Sequence, residues 1–156
     1  AIRRKAGGLT PADMDLKTCT DENLPANITN NQEEVIDVFW VDDEQLRCVT
    51  YNQNGNKIGN AQSIANGVES MHFLVGIGDN DGNVQRFVSL SNVSNWNDVV
   101  AIRVAILTKE FGSNSLELDD RVYGLLDSTP ITYKDTLSRY VQNGTIWFPN
   151  TKFIDR

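Results

Sequence analysis

The sequence predicts an α+β fold made mostly of antiparallel sheet, and three features carry that reading. Between Gly67 and Asn83 apolar residues alternate at Met71, Phe73, Val75 and Ile77, the period-2 pattern of a strand with one buried face. A Gly/Asp/Asn cluster then supplies turn chemistry. Further on, residues 96–107 place Val100, Ile102, Val104 and Ile106 on one side and Arg103 on the other. Slipping that strand by one residue would bury a guanidinium, so the β-branched row is expected to face the core and Arg103 to face outward. At the amino end, Arg3, Arg4 and Lys5 followed by Gly7 and Gly8 read as the last turn of a helix. The cations stand where the carbonyl end of the helix dipole favours them, and glycine terminates.

Taken in order, residues 1–8 are that helix end. Residues 9–34 hold Pro11, Pro25 and several Asn with no sustained period, and read as an irregular loop. Residues 35–41 are apolar on nearly both faces, as a central strand is. Asp42, Asp43 and Glu44 turn the chain and residues 46–51 return it, while Asn54-Gly55 offers a type I′ turn into Lys57 and Ile58. The two long strands follow, with the shorter run 87–90 between them, giving three strands of one sheet. Residues 111–118 read as a polar loop and 121–126 as a short strand. Residues 136–141 fit either a helical turn or a strand, and 145–148 form a last strand stopped by Pro149. No repeat or linker interrupts the 156 residues, which are read as one domain, 1–156, long enough for a real core.

Composition narrows the function classes. Apolar residues make up 40% and aromatics 8%, which argues against wholesale disorder. No run approaches the roughly eighteen apolar residues of a membrane-spanning helix. The net charge is −7, concentrated between Asp13 and Glu44, where ten acids face Lys17 alone. An acidic face repels phosphate, so nucleic acid is not an expected partner. Ala1 in place of Met is read as the mark of a processed or truncated chain.

Few residues offer chemistry. His72, the sole histidine, falls on the strand face opposite Met71 and Phe73 and reads as a surface or second-layer side chain. No Gly-x-Ser-x-Gly, His-x-x-x-His or phosphate-loop pattern is present, so no enzyme and no cofactor are expected. Asp79, Asp81 and Asn83 stand at positions 1, 3 and 5 of a calcium loop, but the glycine is at position 4 and Leu90 stands where the bidentate Glu belongs. An Asx-rich hairpin turn is the competing reading. Cys19 and Cys48 flank the acidic segment and suggest one disulfide in an oxidising compartment, with two free thiols as the alternative. One histidine and two distant cysteines do not make a zinc site. Trp40, Trp96 and Trp147 are expected in the core, or else as the contact aromatics of an adhesive β-domain.

The two long strands also carry a family resemblance. Gly67-Val68-Glu69-x-Met71-x-Phe73-x-Val75-Gly76, an acidic glycine-rich turn, then Trp96-x-x-Val99-Val100-Ala101-Ile102-Arg103-Val104-x-Ile106-Leu107 resembles the PilW-type minor pilins of bacterial type IV pili. Leu46-Arg47-Cys48 ahead of them fits the same pattern. Ile2-Arg3 and Ala6-Gly7 match the family's amino-terminal pattern with a one-residue offset. Leu137, Arg139 and Asn150 match its closing pattern, although Phe148-Pro149 replaces Leu-Arg. The resemblance is best over 35–107. It implies a pilin-like architecture in which residues 1–8 end a long amino-terminal helix whose transmembrane half is absent. It implies a structural subunit that helps initiate pilus assembly at or near the tip. Its partners would be other minor pilins and the major pilin. Through the missing helix the precursor would sit in the inner membrane, exposed to the periplasm, before it joins the extracellular pilus. A GspJ-like pseudopilin of type II secretion is the neighbouring alternative, against which the Cys pair and the Trp96 strand favour PilW.

Overall fold

In the computed structural model, residues 1–5, 17–30, 33–79 and 81–148 are described. Antiparallel strands dominate them, and their contacts gather in two compact units, Ala1–Gly67 and Val68–Arg156.

The first unit holds β1 (Ile2–Lys5), α1 (Ala26–Asn30), β2 (Glu34–Asp42), β3 (Gln45–Asn52) and β4 (Lys57–Asn66), in the sheet order β1-β2-β3-β4. β2 lies inside the sheet, as its two apolar faces require. Residues 2–5 depart from expectation: they form a strand paired with residues 34–37 of β2, not the end of a helix. Arg3 finds a carboxylate across the ladder, its Nη1 lying 3.4 Å from Glu34 Oε2, rather than a carbonyl terminus. Gly7 and Gly8 lie outside the described residues, as do Pro11, Pro149 and Asn150.

Both tight turns of this unit form, with their chemistry exchanged. Asp43 and Glu44 have φ of 48° and 56°, so the type I′ turn is here, between Asp42 and Gln45. At Asn54-Gly55 only the glycine is left-handed, with φ of 78°, which is a type I turn closed by a glycine bulge. A left-handed non-glycine residue is strained, so Glu44→Gly should raise the unfolding free energy measured in urea melts by up to about 1 kcal/mol. The glycine's own entropic cost sets that ceiling.

Where an irregular loop was expected, Pro25 opens α1: its carbonyl accepts the N–H groups of Ile28 and Thr29 at 3.0 and 3.2 Å. The short helix delivers Ile28 to Leu24, Val35 and Ile58, the core of this unit. Cys19 and Cys48 are bonded, with Cα atoms 6.2 Å apart. The Cys19 N–H also donates to Thr50 Oγ1 at 3.0 Å, and that hydroxyl donates to Asp37 at 2.6 Å.

The second unit holds β5 (Val68–Gly78), β6 (Val84–Val88), β7 (Val99–Asp119), β8 (Val122–Tyr123), β9 (Ile131–Thr132) and β10 (Asp135–Trp147). Its main sheet runs β10-β7-β5-β6, and β8 pairs with β9. The three expected strands are β5, β6 and β7. β7 runs on through 111–118, in place of the polar loop that the sequence suggests, because β10 pairs along it as far as Asp119. The two pieces of strand expected at 136–141 and 145–148 are one strand, β10. Leu90 leaves the sheet for a 3-10 turn, Leu90–Asn92.

The facing of β7 is a second correction. Val100 is buried on the β-branched face, as Val75 is on β5, but Ile102, Val104 and Ile106 are only half-buried. The packed cluster forms on the opposite face, where Ala105 and Leu107 meet Tyr123 and Leu125. Arg103 shares that face without being stranded. Its guanidinium lies 3.9 Å from the Phe87 ring centroid and its Nε donates to Thr145 Oγ1 at 3.1 Å, so stem and charge are both accommodated. The β-branched face is thus covered only in part, at Val100 and Val75, and Arg103 is half-buried instead of facing outward, because Phe87 and Thr145 give its stem and charge partners. Trp96 and Trp147 are 60% and 55% exposed, against the expectation that they pack in the core, while Trp40 is half-buried. Trp96 sits in a 3-10 turn ahead of β7 and Trp147 on an outer strand, so neither has a second layer over it.

Candidate functional site

The densest polar constellation lies in the second unit and is assembled by irregularities in its strands. Val68 and Tyr140 both pair with Thr108, from opposite sides of β7. Ser70 then pairs with Leu107, so Glu69 is the extra residue of a bulge on β5. A further register shift between Leu137 and Arg139 frees that stretch of β10. Bulges re-aim side chains, and here they bring Glu69 and Arg139 together although seventy residues separate them.

Arg139 is 2% exposed and held by two carboxylates at once. Nε and Nη2 donate to Glu69 at 2.6 and 3.0 Å; Nη1 and Nη2 donate to Asp135 at 2.7 Å each. Asp119 lies 3.7 Å from Nη1, and the guanidinium carbon sits 3.5 Å from the Tyr133 ring centroid. Asp119 in turn accepts from Arg121 Nε at 2.8 Å and from the Tyr123 hydroxyl. The rings of Tyr123 and Tyr133 meet edge to face at 6.1 Å.

Charges are tuned accordingly. The Asp135 carboxylate drives the Arg139 pKa upward, overcoming burial, with Glu69 adding to it. Arg139 and the Leu137 backbone N–H hold Asp135 at about 2. Arg121 first and the Tyr123 hydroxyl second keep Asp119 well below the usual carboxylate range. Burial, reinforced by Asp119, pushes Tyr123 up to about 12. Each group is fixed in one protonation state near neutral pH, which suits a clamp rather than proton transfer.

This fixes the response to acid. The folded carboxylates of Asp135 and Asp119 titrate below 3.8, the value they take without partners, so below about pH 4 the unfolded chain binds more protons than the folded one. Stability should stay level from pH 7 to about 4 and fall from there through pH 2. Denaturant midpoints measured at each pH check this, and Asp135→Asn should flatten part of the slope.

The other candidates are placed as follows. His72 Nε2 lies 2.6 Å from Asp127 Oδ1, with side chains 34% and 50% exposed. Asp79, Asp81 and Asn83 meet as a hairpin turn: Asp79 Oδ1 accepts the N–H groups of Asp81 and Asn83 at 2.9 Å each, and Oδ2 accepts Gln85 Nε2 at 2.8 Å. Asp81 and Asn83 thus both give Asp79 their backbone N–H groups, and the Asn83 N–H chiefly lowers the Asp79 pKa. Among the described residues no group of three His, Cys, Asp or Glu side chains is placed to hold a metal. No helix among them is long and apolar enough to cross a membrane.

Pattern reading alone did not single out the Glu69–Arg139 pair. The signal available was a lone carboxylate between Val68 and Met71 in a mostly apolar strand, and an arginine inside β10, each of which needs a partner if buried.

A family model described as type IV pilus-assembly protein W matches residues 27–150. Neither a curated protein nor a solved structure gives a significant match. The matched span contains β2 to β10 and both members of the buried pair.

Proposed function

The chain belongs to the type IV pilus-assembly protein W family, and from that premise we propose that it is a minor pilin. In this reading it is a structural subunit that joins other minor pilins and the major pilin to initiate a filament, and it stays at or near the tip. The family match across 27–150 is the observation that carries it. The pilin-like α+β architecture is part of the proposal: the β-rich units act together as the globular domain. An amino-terminal apolar helix would hold the precursor in the inner membrane before it enters the pilus. The buried clamp suits such a role, since a subunit extracted from a membrane and packed into a filament gains from a rigid sheet with fixed register.

Deleting the gene should reduce surface pili and twitching, and restoring it should restore both. Loss of protein secretion with normal pili would move the assignment to a type II secretion pseudopilin. A second reading, an adhesive tip domain, is favoured by one observation: Trp96 and Trp147 are exposed, as glycan-stacking aromatics are. Normal piliation with lost attachment in a Trp96→Ala, Trp147→Ala strain would support that reading over assembly.

A further inference from the structure

We propose that β10 is a docking edge at which the chain pairs with a second copy of itself, β10 to β10 across a two-fold axis at Gly144. β10 is the outermost strand of its sheet. Strand edges offer unpaired N–H and C=O groups, and proteins protect them with charge, proline, bulges or short length. The other outer strands among the described residues show such guards. β1 carries Arg3, Arg4 and Lys5, β6 is five residues long and carries Arg86, β4 begins at Lys57 and pairs through register shifts, and β8 and β9 are two residues long each. β10 from Tyr140 to Trp147 has no charged residue, no proline and no register shift. It is open on both faces: Tyr140 is 54%, Val141 38%, Ile146 53% and Trp147 55% exposed.

The register fits a second copy as the occupant. The Phe148 N–H donates to the Val100 carbonyl at 2.8 Å, so even-numbered residues turn their backbone toward β7. Those of Val141, Asn143, Thr145 and Trp147 turn outward. An antiparallel copy keeps like faces together only if residues of the same parity meet. With the axis at Gly144, Val141 meets Trp147 of the second copy, Asn143 meets Thr145 and Gln142 meets Ile146. The outward N–H and C=O groups then pair with each other. The large exposed residues Val141 and Trp147 become cross-strand neighbours, an aliphatic–aromatic pair of the kind that stabilises sheets. No like charges are brought into contact along the seam. One strand pair buries less than the ~1,200 Å² of a standard interface, so the dimer should be weak and concentration-dependent.

The test uses the 156-residue protein. Sedimentation equilibrium between about 5 and 500 μM should show a reversible monomer–dimer equilibrium. Asn143→Pro removes an outward donor and sets a ring in the seam without touching the β7 ladder. It should weaken dimerisation at least tenfold while leaving the melting temperature and circular dichroism unchanged. Cysteine cross-linking reads the register. Gly144→Cys places thiols at the axis, in a non-hydrogen-bonded pair whose Cα atoms approach to about 4.5 Å, and the added Cβ meets nothing within 4 Å in the monomer. It should oxidise to a covalent dimer, with peptide mapping showing Cys19–Cys48 intact. Gln142→Cys would separate the thiols' Cα atoms by about 14 Å and should not cross-link. A protein monomeric across the range, equal cross-linking at 142 and 144, or association untouched by Asn143→Pro overturns the proposal. So does cross-linking of Gly144→Cys only to a different pilin.

Discussion

Arg139→Met should destabilise the protein by about 3–5 kcal/mol, the penalty for leaving buried charge without its partner. The guanidinium is 2% exposed and bonded at both ends, and Glu69, with a side chain only 9% exposed, would lose its counter-charge in an environment poor in water. Glu69→Gln should cost nearly as much, while Asp135→Asn should cost least of the three, because that side chain is 40% exposed and water can replace the guanidinium. The pair need not be a net gain over a well-packed apolar pair. Glu69→Leu combined with Arg139→Met should therefore recover much of the loss, giving a coupling energy of at least about 1.5 kcal/mol in urea melts. Independent, additive losses would show that the two side chains do not act as one clamp. In cells, Arg139→Met should lower piliation through reduced abundance of the protein, which separates this role from direct contact with a partner.

The clamp also gives physical meaning to the strand motif that carries the family resemblance. In Gly67-Val68-Glu69 the glycine has φ of 73° and is the single residue between β4 and β5, a conformation that side chains resist. Val68 is 3% exposed, and Glu69 is the bulge residue that meets Arg139. Three adjacent residues thus serve as turn, core and clamp. The strands themselves were legible because their alternation survives in sequence: Met71 to Ile77 and Val99 to Leu107 lie in β5 and β7 as read. Pairing seventy residues apart was not legible, since nothing local marks Glu69 and Arg139 as partners.

The misses share that cause. Residues 111–118 look polar, and only pairing to β10 makes them strand. Arg103 looks like a surface marker until Phe87 and Thr145 are placed beside it. Arg3, Arg4 and Lys5 suit a helix terminus by charge, yet a ladder to β2 takes them instead. At Asp43 and Glu44 the turn was legible but not its type, because the two left-handed residues are imposed by the two-residue connection between β2 and β3 rather than by glycine.

Replacing Cys19 and Cys48 together by alanine should cost roughly 3–4 kcal/mol, the chain-entropy value for a loop of this size; the two residues are 29 apart in sequence. Three observations make a loss of that size reasonable. Cys48 is fully buried within β3, so the bond ties a peripheral segment to the interior of a sheet. That segment is acidic, with Asp21 and Glu22 following Cys19, and its ties beside the disulfide are polar: the Cys19 N–H to Thr50, Gln62 Nε2 to Glu22 Oε1 at 2.7 Å, and the Lys17–Asn23 bridge. Leu24 and Ile28, which close the core of the first unit, come just after it, so freeing Cys19 loosens the approach of α1 as well. Hydrogen exchange should rise across 17–30 and at Thr50, whose hydroxyl receives the Cys19 N–H. Alanine at 48 avoids adding a new buried hydroxyl, so the measured loss reports the crosslink and not a desolvated side chain. Denaturing alkylation with intact-mass detection checks the premise: protein taken from the periplasm should take up no label until reduced. Two labelled thiols before reduction would mean that the bond is not part of the native molecule.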